Sequence, residues 1–557
     1  MSLAELGQLP GQVESIIVDG PYVSDPLLAY QALGKENSLL LESAEIDSKA
    51  NLKSLLLIDA AIRIECNDQS VTITALTANG LSVLPLLVEK LKPYHSAQEV
   101  SEDNIRFEFP PVDQNLDEDS RLKQASVFDV LRALTEHIQT LRDHPNALFL
   151  GGVFSYDLLG TFEKLPEAIF GDNNCPEYVF YLAETLLLID HQNAHTQIIG
   201  SVFSGPYVAQ HYFNIHQRIE QIKHELASLP AEITAAETVT NITLKVDKSD
   251  EEYCADVVAL KEHILDGDIF QVVPSRSFSL PCPSPLAAYQ QLKVQNPSPY
   301  MFYLNDQDFT MFGASPESAL KYDKDSNVVE VYPIAGTRPR GKRPNGDIDY
   351  DLDSRLELNL RQDEKEKSEH IMLVDLARND VAKVSKAGTR HVKDLLKVDR
   401  YSHVMHLVSR VVGELREDLD ALHAYQACMN MGTLVGAPKV SAASLIRNVE
   451  KQKRGSYGGA VGYINGNGDM DTCIVIRSAF VRLKTAYIQA GAGVVNDSIP
   501  QAEADETRAK AQAVISAIIA AHAPKSDPIQ HTTDSNNGDE SVGDESVGDE
   551  KQEGESA

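Results

Sequence analysis

Apolar and polar positions follow two different textures along the 557 residues. Up to residue 227, short runs rich in β-branched and aromatic residues dominate, among them SLLLIDAAIRIEC (54–66), VTITAL (71–76), ALFLGGVFSYD (147–157) and YVFYLAETLLLID (178–190). Runs of this kind bounded by polar clusters predict strands. A helical period over 207–226 closes this part. Residues 228–248 lose large apolar side chains and gain Thr, Ala and Glu, which marks a linker between an N-terminal domain (1–227) and a second domain (249–523). In the second domain DEEYCADVVALKEHILDGD (250–268) has helical periodicity, with Asp266-Gly267 stopping it before IFQVVPSRSFSL (269–280), which reads as a strand. The clearest helices are expected at 363–380 and 500–521, the latter with Pro and acids in its first turn. Strands are expected at 309–312, 329–332, 459–464, 472–483 and 485–490. The result is a mixed α/β (α+β) chain with a large sheet content.

Charge removes whole classes of function. The formal net charge is −32, which argues against nucleic acid and against an anionic membrane surface, both of which recruit clustered Lys and Arg. Residues 524–557 hold ten Asp or Glu against two Lys and contain GDESVGDESVGDE (538–550); a segment this polar cannot bury a core and reads as a disordered acidic tail. The six cysteines are far apart and lack metal spacing, so buried, reduced thiols in the cytoplasm are expected. The segment MSLAELGQLP (1–10) lacks the basic and apolar regions of a signal peptide, and no apolar run reaches about 18 residues, so neither a leader nor a membrane span is expected. The 36 Tyr and Phe are accompanied by no tryptophan.

Two helices repeat one acidic pattern, Glu366 with Glu369 and Glu503 with Glu506. Residues three apart share a helix face, so each helix offers two carboxylates to a common point. A single such pair reads as a solvated face; here Glu369 opens the apolar run 370–374, and acids at the edge of a buried stripe need a partner. Few carboxylates with oxygen ligation suit Mg²⁺. For an anion, Arg477 lies in the apolar run CIVIRSAF (473–480) and the turn Gly491-Ala492-Gly493 can present backbone N–H groups; an internal salt bridge for Arg477 fits the pattern equally well. The sixth position of the would-be G-x-G-x-x-G is Asn496, and no Walker loop exists, so a nucleotide site is not expected.

PIAGTRPRG (333–341), DEKEKSEHIMLVDLARND (363–380), GTLVGAPK (432–439), RGSYGGAVGYI (454–464) and QAGAGVVNDSIPQAEADET (489–507) together resemble the chorismate-utilising enzymes, most of all the anthranilate synthase component I branch, from about residue 39 to 521. The resemblance implies a large two-sheet β-sandwich core with helices packed outside. It implies Mg²⁺ on Glu369 and Glu506, with Glu366 and Glu503 behind them. It also implies chorismate contacts from Gly336, Thr337, Tyr457, Arg477, Gly491, Ala492 and Gly493, with Lys510 a further candidate for a carboxylate. His406, in SHVMHLVSRV (402–411), matches a catalytic histidine linked to loss of pyruvate. Glu317, in GASPES (313–318), matches the acid that protonates the departing ring hydroxyl, a role that needs a carboxyl kept neutral by burial. Thr433 is carried over as a further catalytic position.

Two positions separate the branches. Relatives that make aminodeoxychorismate carry a nucleophilic Lys where this chain has Ala335. The isochorismate and salicylate enzymes use a Lys to activate water where this chain has Gln271, which cannot act as a base at neutral pH and fits an ammonia nucleophile. The expected reaction is therefore chorismate and ammonia to anthranilate and pyruvate; a different chorismate enzyme and an inactive tryptophan-binding scaffold are the alternatives. LLLESAEI (39–46) and NPSPYMFYL (296–304) resemble the two segments of a tryptophan feedback site, with Glu42, Ser43, Pro299, Tyr300 and Met301 carried over. No Gly-x-Cys-x-Gly elbow surrounds any cysteine, so a separate glutamine amidotransferase subunit, in a heterotetramer, is expected to supply ammonia. A tryptophan-free chain serving tryptophan synthesis could still be translated when that amino acid is scarce.

Overall fold

The computed structural model describes residues 6–7, 10–43, 52–401 and 404–524. The acidic tail expected at 524–557 lies, apart from Pro524, outside the described residues, as do positions 44–46 of the LLLESAEI segment.

Two long neighbouring strands, Lys53–Asn67 and Tyr178–Asp190, organise the sheet. They pair antiparallel, with register shifts between Leu57 and Ile62; such irregularities bend strands and sharpen their twist. From this pair the sheet grows in two directions. One arm runs through Phe149–Phe154, Ala460–Asn465, Met470–Ile474, Ser318–Asp323 and Val328–Val331 to Val404–Glu414. That last strand also pairs with Ile334–Pro339 and His391–Arg400. The other arm runs through Ser38–Glu42, Tyr300–Asn305, Thr310–Ser315, Ser478–Arg482 and Thr485–Gly491 to Ser275–Pro281.

The two arms face each other. Leu39, Phe302, Met311 and Phe480 from one pack with Phe149, Val153, Val461 and Cys473 from the other in a buried apolar layer, the geometry of a β-sandwich. The expected two-sheet core is thus one hydrogen-bonded sheet folded onto itself. Helices cover both outer faces: Glu364–Val384, Ala421–Cys428 and Lys439–Glu450 through one cluster, and Pro26–Leu33, Val208–Leu226, Pro285–Gln295 and Pro500–His522 through another.

Most expected elements appear within a few residues of their predicted ends. The helix read at 363–380 is Glu364–Val384, with Asp363 as its N-cap accepting from the Lys365 and Glu366 amides. Two expectations need correction. The run 269–280 is two strands, because Pro274 has no N–H to give to a ladder and the amides of Val272 and Val273 bond instead to Val494 and Val435. The run 472–483 is also broken: Met470–Ile474 and Ser478–Arg482 are separated at Arg477, whose φ is 50°. Arg477 is therefore not inside a strand but at a left-handed kink between two, a conformation that costs a non-glycine residue energy and clusters at functional sites. All six cysteines are free thiols. Among the described residues no helix is long and apolar enough to cross a membrane.

Candidate active site

A cavity of about 600 Å³ opens at the ends of these strands, between the helices Glu364–Val384 and Pro500–His522. Its wall gathers residues scattered over 240 positions: Gln271, Glu317, Gly336, Thr337, Glu366, Glu369, His406, Thr433, Tyr457, Arg477, Gly491, Gly493, Glu503, Glu506 and Lys510. Of the active-site residues carried over from sequence, Ala492 alone is not on the wall; its methyl group is fully buried behind it.

The kink at Arg477 turns its guanidinium toward the cavity. Among the described residues it forms no ion pair or side-chain hydrogen bond; burial pulls its pKa down, partly opposed by Tyr457, Glu506 and Glu317. A half-buried cation without an internal acid is suited to an external anion, and the internal salt bridge that fitted the sequence pattern equally well is not found among the described residues. Tyr457 stands beside it, its hydroxyl near Gly491, with burial raising its pKa to about 12.

Glu317 lies in the tight connection between Thr310–Ser315 and Ser318–Asp323 and is 7% exposed. Burial pushes its carboxyl up to about 8, against the opposing effects of a hydrogen bond from Thr433 and of the charges on Lys510 and Arg477. At neutral pH it holds a proton it can donate. His406 shows the reverse: burial, with Arg477 nearby, lowers its pKa to about 4, so the imidazole is neutral. Its Nδ1 lies 2.9 Å from Thr337 Oγ1, its partner across the strand register. Gln271, in a two-residue ladder with Ala437, has a buried Oε1 with no hydrogen-bond partner among the described residues. Its Nε2 would lie 2.7 Å from a Cβ at Gly493, so a side chain there would push the Gln271 amide aside. Gly336, at φ 79°, occupies a register shift against the strand Val404–Glu414.

Four carboxylates, two from each helix, line the same cavity. Burial raises Glu369 to about 7; Lys365 opposes this, and Glu366, Glu503 and Glu506 add to it. Their existing partners sit at the edges: Arg338 holds Glu366 at 2.9 Å and Lys510 holds Glu506 at 2.7 Å, whereas Lys365 stands 3.8 Å from Glu369. Lys510 also donates to the Gly491 carbonyl. Among the described residues no three Asp, Glu, His or Cys side chains are grouped so as to hold a metal ion by themselves. The donor set, crowded carboxylates with open positions, fits a hard cation completed by water and a substrate anion.

One supporting layer escapes the sequence reading. Arg454 and Glu450 form an ion pair that is 1% and 2% exposed. Arg454 lies over the Tyr156 and Tyr457 rings and donates to the Leu434 and Val273 carbonyls, while Glu450 accepts from Ser275. The pair thus ties together the segments that carry Tyr457, Thr433 and Gln271. The only signal for it is a single Arg opening a glycine-rich run, which by pattern points as readily to a ligand.

A second cavity, of about 560 Å³, contains Glu42, Ser43, Pro299, Tyr300 and Met301 on its wall. Ser43 Oγ donates to the Pro299 carbonyl at 3.0 Å, joining the two segments. The Glu42 carboxylate is already held by Tyr289 at 2.7 Å and Lys293 at 2.6 Å; Asp399 and Asp471 are the other carboxylates on this wall.

Known proteins resemble this chain in sequence and in fold. A family model described as chorismate binding enzyme matches residues 95–516. Anthranilate synthase component 1 of Vibrio cholerae is 60% identical over 509 residues, covering 91% of this chain and 96% of that protein. The Escherichia coli protein of the same name is 54% identical over 512 residues, covering 92% and 98%. Among solved structures, anthranilate synthase component I of Streptococcus pneumoniae superposes with a TM-score of 0.64 at 26% identity, over 89% of this chain and 98% of that one. The menaquinone-specific isochorismate synthase of E. coli shares the fold, with a TM-score of 0.60 at 17% identity over 93% and 97%. The chain therefore belongs to the chorismate-binding enzymes, and within them to the anthranilate synthase component 1 family.

Proposed function

We propose that this chain converts chorismate and ammonia to anthranilate and pyruvate, with Mg²⁺, under feedback inhibition by tryptophan. The observation that carries the reading is the presence, on one cavity wall, of a guanidinium at Arg477 that has no acidic partner among the described residues and an un-ionised carboxyl at Glu317. A dianion with a hydroxide leaving group needs both. Arg477, Tyr457 and the Gly491–Gly493 backbone would bind its carboxylates. The free Oε1 of Gln271 would accept an N–H of ammonia and orient its lone pair, a task that needs no base. Glu317 would hand its proton to the departing hydroxyl, which leaves as water; the proton shed by the new ammonium restores the acid. Neutral His406, fixed by Thr337, would take the proton from the ring carbon that bears the amino group as the C–O bond to the enolpyruvyl group breaks, and the released enolpyruvate takes up a proton to become pyruvate. Glu369 and Glu506, backed by Glu366 and Glu503, would hold the metal; when bound, Mg²⁺ supplies positive charge that neutralises a substrate carboxylate.

Nothing in the sequence provides a glutaminase, and the relatives' name, component 1, supports a partner subunit that releases ammonia from glutamine. The second cavity supports an amino-acid inhibitor, with tyrosines and aliphatic side chains for an indole and carboxylates for an ammonium group.

The test is incubation of the purified chain with chorismate, MgCl₂ and either ammonium or glutamine, with products separated by chromatography. Anthranilate from ammonium and none from glutamine is expected. Aminodeoxychorismate or isochorismate as end product moves the chain to another branch, and glutamine-dependent turnover removes the partner.

A further inference from the structure

The two cavities share a wall, because Pro316 and Ile334 line both. Tyr401 stands at this wall. Its residue is 8% exposed and borders the second cavity, and its ring meets the His406 imidazole edge-on, with centroids 5.3 Å apart and planes at 62°. That separation and angle are those of a favourable aromatic pair. His406 is thereby held at two places: Thr337 fixes Nδ1 in position, and the Tyr401 ring limits how the imidazole can tilt. The backbone of Tyr401 is itself anchored, since its carbonyl accepts from Arg340 at 2.5 Å and its amide donates to Val404; Arg340 in turn is fixed on Asp353 by two hydrogen bonds of 2.9 and 3.1 Å. An anchored backbone leaves the ring as the adjustable part, with the imidazole on one side and the second cavity on the other.

We infer that Tyr401 is a positioning residue for His406, and that its ring is where a ligand filling the second cavity bears on the histidine. This rests on the proposed roles of His406 and of the second cavity. A ligand pressing on the ring would change the tilt of the imidazole, and so the proton-transfer geometry of the elimination step, without touching the groups that bind the substrate.

The experiment uses the full chain with chorismate, ammonium and MgCl₂, comparing the parent with Tyr401→Phe, Tyr401→Leu and Tyr401→Met. Chromatography measures the ratio of the aminodeoxy intermediate to anthranilate, and equilibrium dialysis measures binding of L-tryptophan. In Tyr401→Leu the released intermediate is expected to rise at least about tenfold relative to anthranilate, with KM for chorismate within about threefold. Tyr401→Phe, which keeps the ring, is expected to restore the parent ratio. Tryptophan is expected to bind Tyr401→Leu within about threefold of the parent Kd while inhibiting it less. Tyr401→Met, closer to tyrosine in length, replaces Leu if that variant does not fold. An unchanged product ratio, or an equal loss of intermediate and anthranilate, overturns the positioning role. Full inhibition at unchanged Kd overturns the link to the second cavity. If the parent itself makes no anthranilate, the proposed function fails, an outcome distinct from any behaviour of the variants.

Discussion

Thr433 Oγ1 donates a 3.0 Å hydrogen bond to Oε1 of Glu317. The bond favours the ionised carboxylate and so opposes burial, which nevertheless carries the group up to about 8. Thr433→Val keeps the shape and removes the donor. The alkaline limb of the kcat profile is expected to move to higher pH, while kcat at neutral pH falls about tenfold as the carboxyl loses its orientation, the size of one hydrogen bond to an ionisable group. An alkaline limb that stays in place separates Thr433 from the acid.

The same carboxyl couples stability to pH. Its folded value of about 8 lies above its ordinary value of 4.5, so between these pH values the folded chain holds a proton that the unfolded chain releases. The group therefore costs progressively more stability as pH rises through this window and a constant amount above it. Glu317→Gln has no such proton. Its Tm relative to the parent is expected to climb from pH 4.5 to 8 and then level off, with turnover lost; parallel Tm curves would contradict the buried acid.

Removing the metal or its ligands should act alike. Chelation by EDTA is expected to abolish anthranilate formation reversibly, and Glu369→Gln or Glu506→Gln to lower turnover by about a thousandfold, since charge stabilisation by a metal is a term of several kcal/mol. Glu364→Gln, on the same helix but 84% exposed at its side chain, is the control and is expected to behave as the parent. Equal loss in all three variants would indicate helix damage rather than metal ligation.

Ser43 and Pro299 join the two segments of the second cavity. Ser43→Phe breaks that contact and places a ring where an inhibitor would sit. Turnover is expected to persist and tryptophan inhibition to disappear, measured by anthranilate fluorescence across a tryptophan titration. Retained inhibition would move the regulatory site elsewhere.

The candidate site is legible in the sequence where motif and chemistry coincide. Glu369 and Glu506 announce themselves as a repeated acidic pair on two periodic helices, and Arg477 as a charge in an apolar run. What the run could not convey is the left-handed kink that frees Arg477, because apolar periodicity is the same for one strand or two. Nor could it convey that Glu42 is already neutralised by Lys293, a pairing made across 251 positions. Arg454 and Tyr401 were hidden for a related reason: their roles come from what they touch, Tyr457 and His406, and residue type carries no trace of that.

The folded-over sheet has a consequence for how the chain is made. Phe149–Phe154, buried along its whole length, pairs on one edge with the nearby Tyr178–Asp190, but on its other edge with Ala460–Asn465, roughly 300 residues downstream. At typical synthesis rates of about 5 to 20 residues per second, that strand edge waits tens of seconds on the ribosome before its partner emerges. Pairing so distant in sequence also slows the search itself. The nascent N-terminal half therefore spends that interval as an open, apolar sheet edge, the kind of surface that pairs with other chains. Ribosomes following one another on the same message would hold several such edges side by side, so yield of the folded enzyme should depend on chaperone capacity and translation speed more than on its final stability.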